Sequence, residues 1–243
     1  MMIDTLTRIG KHHTNHCEDS CGNFQIDESR FLIAVSDGCS MGTESHFAST
    51  LFMKVLKEIA KVHYNLSFIG KSEPNIDGLL MVILKGLFNK VKMIRDTLQL
   101  DKYELLATLI VAVFDSKTKE VSVITIGDGL ISIDDKIYEY DQSNRPDYVG
   151  YHLDEIFEDW FSDQRQILST TFEKSISISS DGIFTFSDDF DEPVRNIRQR
   201  QIIADLMIRV NPDQRSIQNK MDGYLDNENL STNDDVAVVS VCL

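Results

Sequence analysis

The strand-like stretches of this chain are joined by short turns and not by helical crossovers, which limits the available folds more than any other feature. Residues 105–114 and 121–126 flank a polar turn at 115–120, and residues 130–133 and 137–140 flank Asp134-Asp135-Lys136. Both read as β-hairpins. Residues 31–35 form an apolar run that stops at Ser36-Asp37-Gly38, residues 175–179 stop at Ser180-Asp181-Gly182, and residues 236–241 are almost unbroken apolar sequence. Between these blocks the period changes. Phe47, Leu51, Val55, Ile59 and Val62 fall on one helical face from about Thr43 onward. Leu79, Ile83, Leu87, Val91, Ile94 and Leu98 do the same, and a third helix is expected over 194–210. Hairpin-linked strands interrupted by long helices predict an α+β fold of antiparallel sheets covered by helices, not a doubly wound parallel sheet.

The four prolines are scattered, and no low-complexity linker or internal repeat divides the chain. A single domain over 1–243 is expected. Four cysteines, Cys17, Cys21, Cys39 and Cys242, are too few to staple a chain of this size. Their spacing makes a poor zinc site, so free thiols in a reducing compartment are expected. The N-terminus has no basic segment followed by an apolar run, and the longest uncharged apolar stretch is far shorter than the ~20 residues that span a bilayer. A soluble cytoplasmic protein is the expectation. The formal net charge is -15, from 24 Lys and Arg against 39 Asp and Glu. That sign argues against nucleic acid and against an anionic membrane face as partners.

The position of certain acids is more informative than their number. Asp37, Asp128, Asp181 and Asp234 each sit where a predicted strand begins or ends, and Asp37, Asp128 and Asp181 are each followed by glycine. Glu18 and Asp19 form a further pair ahead of the run at 31–35. A single Asp-Gly step is ordinary turn chemistry. Several at separate strand ends place carboxylates on rigid supports around one loop-lined cleft. Converging carboxylates repel unless a cation neutralises them, and hard oxygen donors favour Mg²⁺ or Mn²⁺ over zinc. Ser36, Ser179 and Ser180 have no obvious histidine partner, which argues against a serine hydrolase. Phe157, Trp160 and Phe161 form an aromatic cluster expected to pack a helix or flap onto the body.

Taken in order, these segments resemble the motifs of the PPM-type, metal-dependent protein phosphatases, the type 2C serine/threonine phosphatases, in a bacterial-like form. The resemblance rests on Asn15-His16-Cys17-Glu18-Asp19, on Ser36-Asp37-Gly38 with Gly42 and the following helix, and on Ile126-Gly127-Asp128-Gly129. It continues through Ser180-Asp181-Gly182 and Asn233-Asp234-Asp235. It implies a sandwich of two antiparallel sheets flanked by helices, with two Mg²⁺ or Mn²⁺ ions at the sheet edges. By position, Asp37 would bridge both metals and the Gly38 carbonyl would ligate one. Asp181 and Asp234 would complete the first metal, Glu18 and Asp19 would hold the second, and Asp128 would stand by a third, weaker one. The implied activity is hydrolysis of phosphoserine and phosphothreonine monoesters in proteins, by direct attack of a hydroxide that bridges the metals.

The chain departs from the family pattern at defined places. Thr14 occupies the position of the usual phosphate-binding arginine and cannot offer its charged fork. His12, His13 and His16 lie beside it, and His13 is the candidate proton donor. Cys39, Gly129 and Asp235 replace the family's usual histidine, serine and asparagine. A catalytically silent, phosphoprotein-binding regulatory module is the alternative, and hydrolysis of a small phosphorylated metabolite is a third reading. Residues 141–193 carry 13 Asp and Glu against 3 Arg and Lys. The resemblance implies a variable acidic flap over about 141–172, expected to favour basic phosphoprotein substrates. A monomer is expected.

Overall fold

The computed structural model describes residues 1–13, 15–69, 74–142, 145–209 and 216–243. In chain order the elements begin with β1 (Met2–Arg8), β2 (Ser20–Gln25), β3 (Arg30–Ser36), α1 (His46–Ser67) and α2 (Ile76–Leu98). Next come β4 (Leu109–Asp115), β5 (Glu120–Ile126), β6 (Gly129–Ile133), β7 (Lys136–Tyr140), α3 (Phe157–Ser162), β8 (Ile167–Thr171) and β9 (Ser175–Ser179). The chain continues with β10 (Phe186–Ser187), α4 (Asn196–Met207), α5 (Ile217–Asp222), β11 (Ser231–Thr232) and β12 (Val236–Cys242). One five-stranded sheet has the order β1-β12-β9-β6-β7 and the other β2-β3-β4-β5-β8, with β10 and β11 forming a small ribbon. The pairings within both sheets are antiparallel.

Side-chain alternation builds four layers from these sheets. Along β3 and β4, Ile33, Val35, Ile110, Ala112 and Phe114 face the other sheet, where they meet Ile131, Ile178, Val239 and Val241. The alternate residues Leu32, Ala34, Leu109, Val111 and Val113 face α1 and α2. On the far side, Val236, Val238 and Leu130 pack against Ile202, Leu206 and Met207 of α4. Because both faces of each sheet are covered, the central strands are apolar at almost every position, so periodicity alone cannot separate them from buried helix. The observed architecture is the α+β sandwich expected from the sequence.

Several boundaries differ from expectation. The run at 105–114 does not start as a strand: residues Lys102–Leu105 form a 3₁₀ turn, whose Asp101 side chain accepts from the Tyr103 N–H at 2.9 Å. The helix expected from 194 begins at Asn196, and Val210 lies outside the described residues. β1 and β2 have no counterpart in the sequence pattern, because Met2–Arg8 and Ser20–Gln25 are rich in polar residues and only half-buried. The acidic stretch contributes structure as well as charge. Val149, Leu153, Phe157 and Trp160 enter the core beneath α2, with the Phe88 and Trp160 rings 4.5 Å apart, and residues 167–171 complete a sheet as β8. Asp154 receives both Arg95 guanidinium nitrogens at 2.8 Å, and Glu158 meets Lys85. Part of the acidity is therefore matched by basic residues of α2. Among the described residues no helix is long and apolar enough to cross a membrane.

Candidate metal centre

Strand register brings the acidic motifs to one rim of the sandwich. β2 and β3 pair Ser20 with Ser36, so the next rung sets Asp19 opposite Asp37. β6 and β9 pair Leu130 with Ser179, and just beyond that pair Asp128 and Asp181 line one cleft. Asp234 stands just ahead of β12, which lies between β1 and β9.

Local bonds hold the Asp37 backbone and the carboxylates of Asp19 and Asp128. The Asp37 backbone is braced by Thr108, whose N–H donates to the Asp37 carbonyl at 2.9 Å and whose hydroxyl accepts from the Asp37 N–H at 3.2 Å. Asp19 is buried and accepts from the Ser180 hydroxyl at 2.5 Å. Ser180 in turn accepts from the Ala237 N–H at 2.9 Å, so the Ser180–Asp19 bond ties the end of β9 to the start of β2 in the other sheet. Asp128 is buried and accepts from the Gln142 N–H at 2.7 Å. A cleft of about 260 Å³ runs between Asp128 and Asp181, with Glu139 and Asp141 on its wall.

Gly38 shows why a glycine must follow Asp37. A Cβ there would lie 2.1 Å from the Ser45 carbonyl oxygen and 3.0 Å from that of Glu18. The close approach lets the Gly38 N–H donate to the Glu18 carbonyl at 3.2 Å. It also brings the start of α1 against the first acidic motif, where the Ser45 hydroxyl donates to Glu18 Oε1 at 2.6 Å.

His13 lies among these acids. Its Nδ1 is 3.0 Å from Asp235 Oδ2 and 3.8 Å from Asp234 Oδ1, and its Nε2 is 3.9 Å from Glu18 Oε1. The 3.0 Å approach has ion-pair distance but not hydrogen-bond alignment. Burial on its own would lower the His13 pKa, but Asp235, Glu18 and Asp234 outweigh it and raise the pKa above the ordinary imidazole value. Thr14 lies outside the described residues. A second, larger cleft of about 610 Å³ opens beside Glu18 and is lined by His12, His13, His16, Ser45 and His46, with the His16 and His46 rings stacked at 4.5 Å.

The electrostatics of the rim call for a cation. Burial, then neighbouring negative charge, raises the Asp37 carboxyl well above its ordinary range, and Asp19 moves the same way. The negative charge of Asp19 is among the causes that raise Asp37. Burial, Asp234 and Asp128 push Asp181 up to about 6. The ionic neighbours acting on these groups are other acids. Such a donor set fits hard divalent ions. It is gathered but not closed: among the described residues no three His, Cys, Asp or Glu side chains stand in finished coordination geometry.

The sequence profile of the protein phosphatase 2C family matches residues 9–226. The chain belongs to the protein phosphatase 2C family. Solved structures carry the same fold at low identity. A bacterial serine phosphatase bearing a point mutation aligns over 100% of this chain and 98% of its own, at 16% identity and a TM-score of 0.66. The serine/threonine phosphatase Stp1 from Staphylococcus aureus aligns over 99% and 94%, at 16% identity and a TM-score of 0.65. RsbX, solved in complex with magnesium, aligns over 99% and 96%, at 15% identity and a TM-score of 0.56. No curated protein sequence matches this 2C-type chain.

Two residues of this phosphatase's rim carry more than the sequence suggests. Asp235 reads in the sequence only as a departure from asparagine, yet its buried carboxylate accepts from the Gly10 and Glu18 N–H groups. Ser180 reads as a nucleophile without a partner and instead orients Asp19. The signal for both is adjacency, since each immediately neighbours an acid of the motif series.

Proposed function

We propose that this chain is a Mg²⁺- or Mn²⁺-dependent phosphatase that hydrolyses phosphoserine and phosphothreonine in proteins. The observation that carries the reading is the convergence of Asp19, Asp37, Asp128 and Asp181 on one rim, buried or raised in pKa without a basic partner. Asp37, Asp181, Asp234 and the Gly38 carbonyl are assigned to one metal, Asp37, Glu18 and Asp19 to the second, and Asp128 to a weaker third. Bound divalent ions supply an activated water for in-line attack and neutralise charge on the phosphoryl oxygens.

The chain's own residues supply positioning and a proton. Ser180 and Thr108 fix the approach of Asp19 and the Asp37 backbone. His13 faces Asp235 through Nδ1, and its Nε2 stands 3.9 Å from Glu18 Oε1, beyond hydrogen-bond distance. In this reading Nε2–H contacts the phosphate or protonates the leaving hydroxyl oxygen, in place of the arginine absent at Thr14. Glu139 and Asp141 on the wall of the Asp128 cleft support a preference for basic phosphoprotein substrates. A cytoplasmic location and a monomeric state complete the proposal.

Hydrolysis of phosphopeptides with Mn²⁺ and with excess chelator tests it. Full turnover in chelator, or in Asp37→Ala, overturns the metal-dependent reading. The alternative, a silent phosphoprotein-binding module, is favoured by the composition of the larger cleft, whose lining includes no Lys or Arg among the described residues. Calorimetry separates the two, since failure to bind Mn²⁺ leaves only the silent module.

A further inference from the structure

The acid that replaces asparagine at 235 is only 1% exposed, yet it reaches across the fold to one short segment. Its Oδ1 accepts from the Gly10 N–H at 2.6 Å, and its Oδ2 accepts from the Glu18 N–H and lies 3.0 Å from His13 Nδ1. One carboxylate thus holds Gly10 and Glu18 by hydrogen bonds and faces His13, which lies between them in sequence. The same stretch is laced to the chain before β12 by the Lys11 N–H to the Thr232 carbonyl at 2.8 Å and the His12 N–H to the Asn233 carbonyl at 3.2 Å. Gly10 permits the approach, because a Cβ there would lie 2.2 Å from the Asp234 carbonyl carbon.

An asparagine cannot fill this role. The anion offers two acceptor oxygens, one for each N–H, and a negative charge for the imidazole. An amide offers one oxygen and turns an NH₂ donor toward a second donor, leaving a buried N–H unsatisfied. We infer that Asp235 is a positioning residue that holds Gly10 and Glu18 against the chain before β12 and so presents His13 in the cleft beside Glu18. Through this device the chain manages without the family's arginine. The inference rests on the proposed phosphatase reading for its catalytic consequence, but its structural half stands on the two hydrogen bonds and the 3.0 Å approach to His13 alone.

The test compares wild type, Asp235→Asn, His13→Gln and the double variant, with amide hydrogen exchange as a readout independent of activity. Asp235→Asn should speed exchange at Gly10 and Glu18 while leaving β9 and α1 unchanged. His13→Gln should leave those amides protected. With Mn²⁺ and a phosphopeptide, each single variant should lower kcat by about 10–100-fold with KM little changed, and the double variant should be no slower than the slower single. Unchanged exchange in Asp235→Asn overturns the inference, as do losses that multiply in the double variant. If Asp235→Asn does not fold, His13→Gln decides: loss of protection at Gly10 and Glu18 would make His13 the anchor and Asp235 its dependant. A wild type with no metal-dependent activity removes the phosphatase reading, and the exchange comparison then decides the positioning role by itself.

Discussion

Asp19 and Asp37 stand opposite each other at the open end of the β2–β3 hairpin, one rung beyond the Ser20–Ser36 pair, and the charge of Asp19 helps to raise the Asp37 carboxyl. Two acids that would repel when ionised are held together by the ladder that carries them. The fold therefore sets aside stability for a ligand. In chelator, Asp37→Asn should be more stable than wild type by about 0.5–2 kcal/mol, as relief of a strained functional site commonly gives. Urea unfolding measures this, and a destabilised variant would count against like-charge strain at the rim.

Divalent ions should reverse the balance. At a free concentration one hundred times its Kd, Mn²⁺ should stabilise wild type by about 2.7 kcal/mol, or roughly 5–10 °C in Tm for a chain of this size. Asp37→Asn should lose most of that shift. A thermal melt with equal shifts in both proteins would remove Asp37 from the ligand set.

Gly38→Ala should destabilise by about 1–3 kcal/mol, because the new methyl meets two backbone carbonyl oxygens and not a flexible side chain. Gly182→Ala should behave alike, with its Cβ 1.8 Å from the Asp235 carbonyl oxygen. Turnover should fall with either change. A melting temperature within about a degree of wild type, well inside the shift that such a loss produces, would contradict the close approach.

Trp160 fixes the acidic stretch to the body through Phe88, so Trp160→Ala should cost about 3–5 kcal/mol. Arg95→Ala removes a bidentate contact to the largely exposed Asp154 and should cost under about 1 kcal/mol. Equal losses in the two variants would show that charge, not packing, holds the segment.

His152 gives the stretch a pH dependence. Its Nε2 and Nδ1 each lie 2.7 Å from a carboxylate, of Asp147 and Glu155, and its ring lies 5.5 Å from that of Trp160. Burial alone would lower its pKa, but the two carboxylates raise it above the ordinary value. The imidazolium therefore stabilises the fold fully below about pH 6.5, the unfolded value. That contribution is lost as pH rises through the higher folded value. In saturating Mn²⁺, the stability difference between wild type and His152→Gln should shrink as pH rises above about 6.5. A difference that stays constant with pH would rule out the charged pair.

Much of this is legible in the chain because the motif acids fall at strand ends, where short buried runs meet Asp-Gly or Asp-Asp. The runs at 31–35 and 236–241 read directly as buried strands. β1 is not legible, since Asp4, Thr5 and Thr7 dilute its apolar pattern on a sheet edge. The role of Asp235 is hidden for a different reason. Its partners are backbone N–H groups more than 200 positions away, and no local pattern in the sequence encodes them.

The pairing of β1 with β12 has a consequence for how the protein forms. β12 lies between β1 and β9, so its sheet closes around a strand made after all its other members. Contacts of such long sequence separation are slow to form. During synthesis, Asp19 and Asp37 emerge early and wait, without their partners, until β12 leaves the ribosome and docks. The cleft cannot act on a phosphoprotein before that strand is in place.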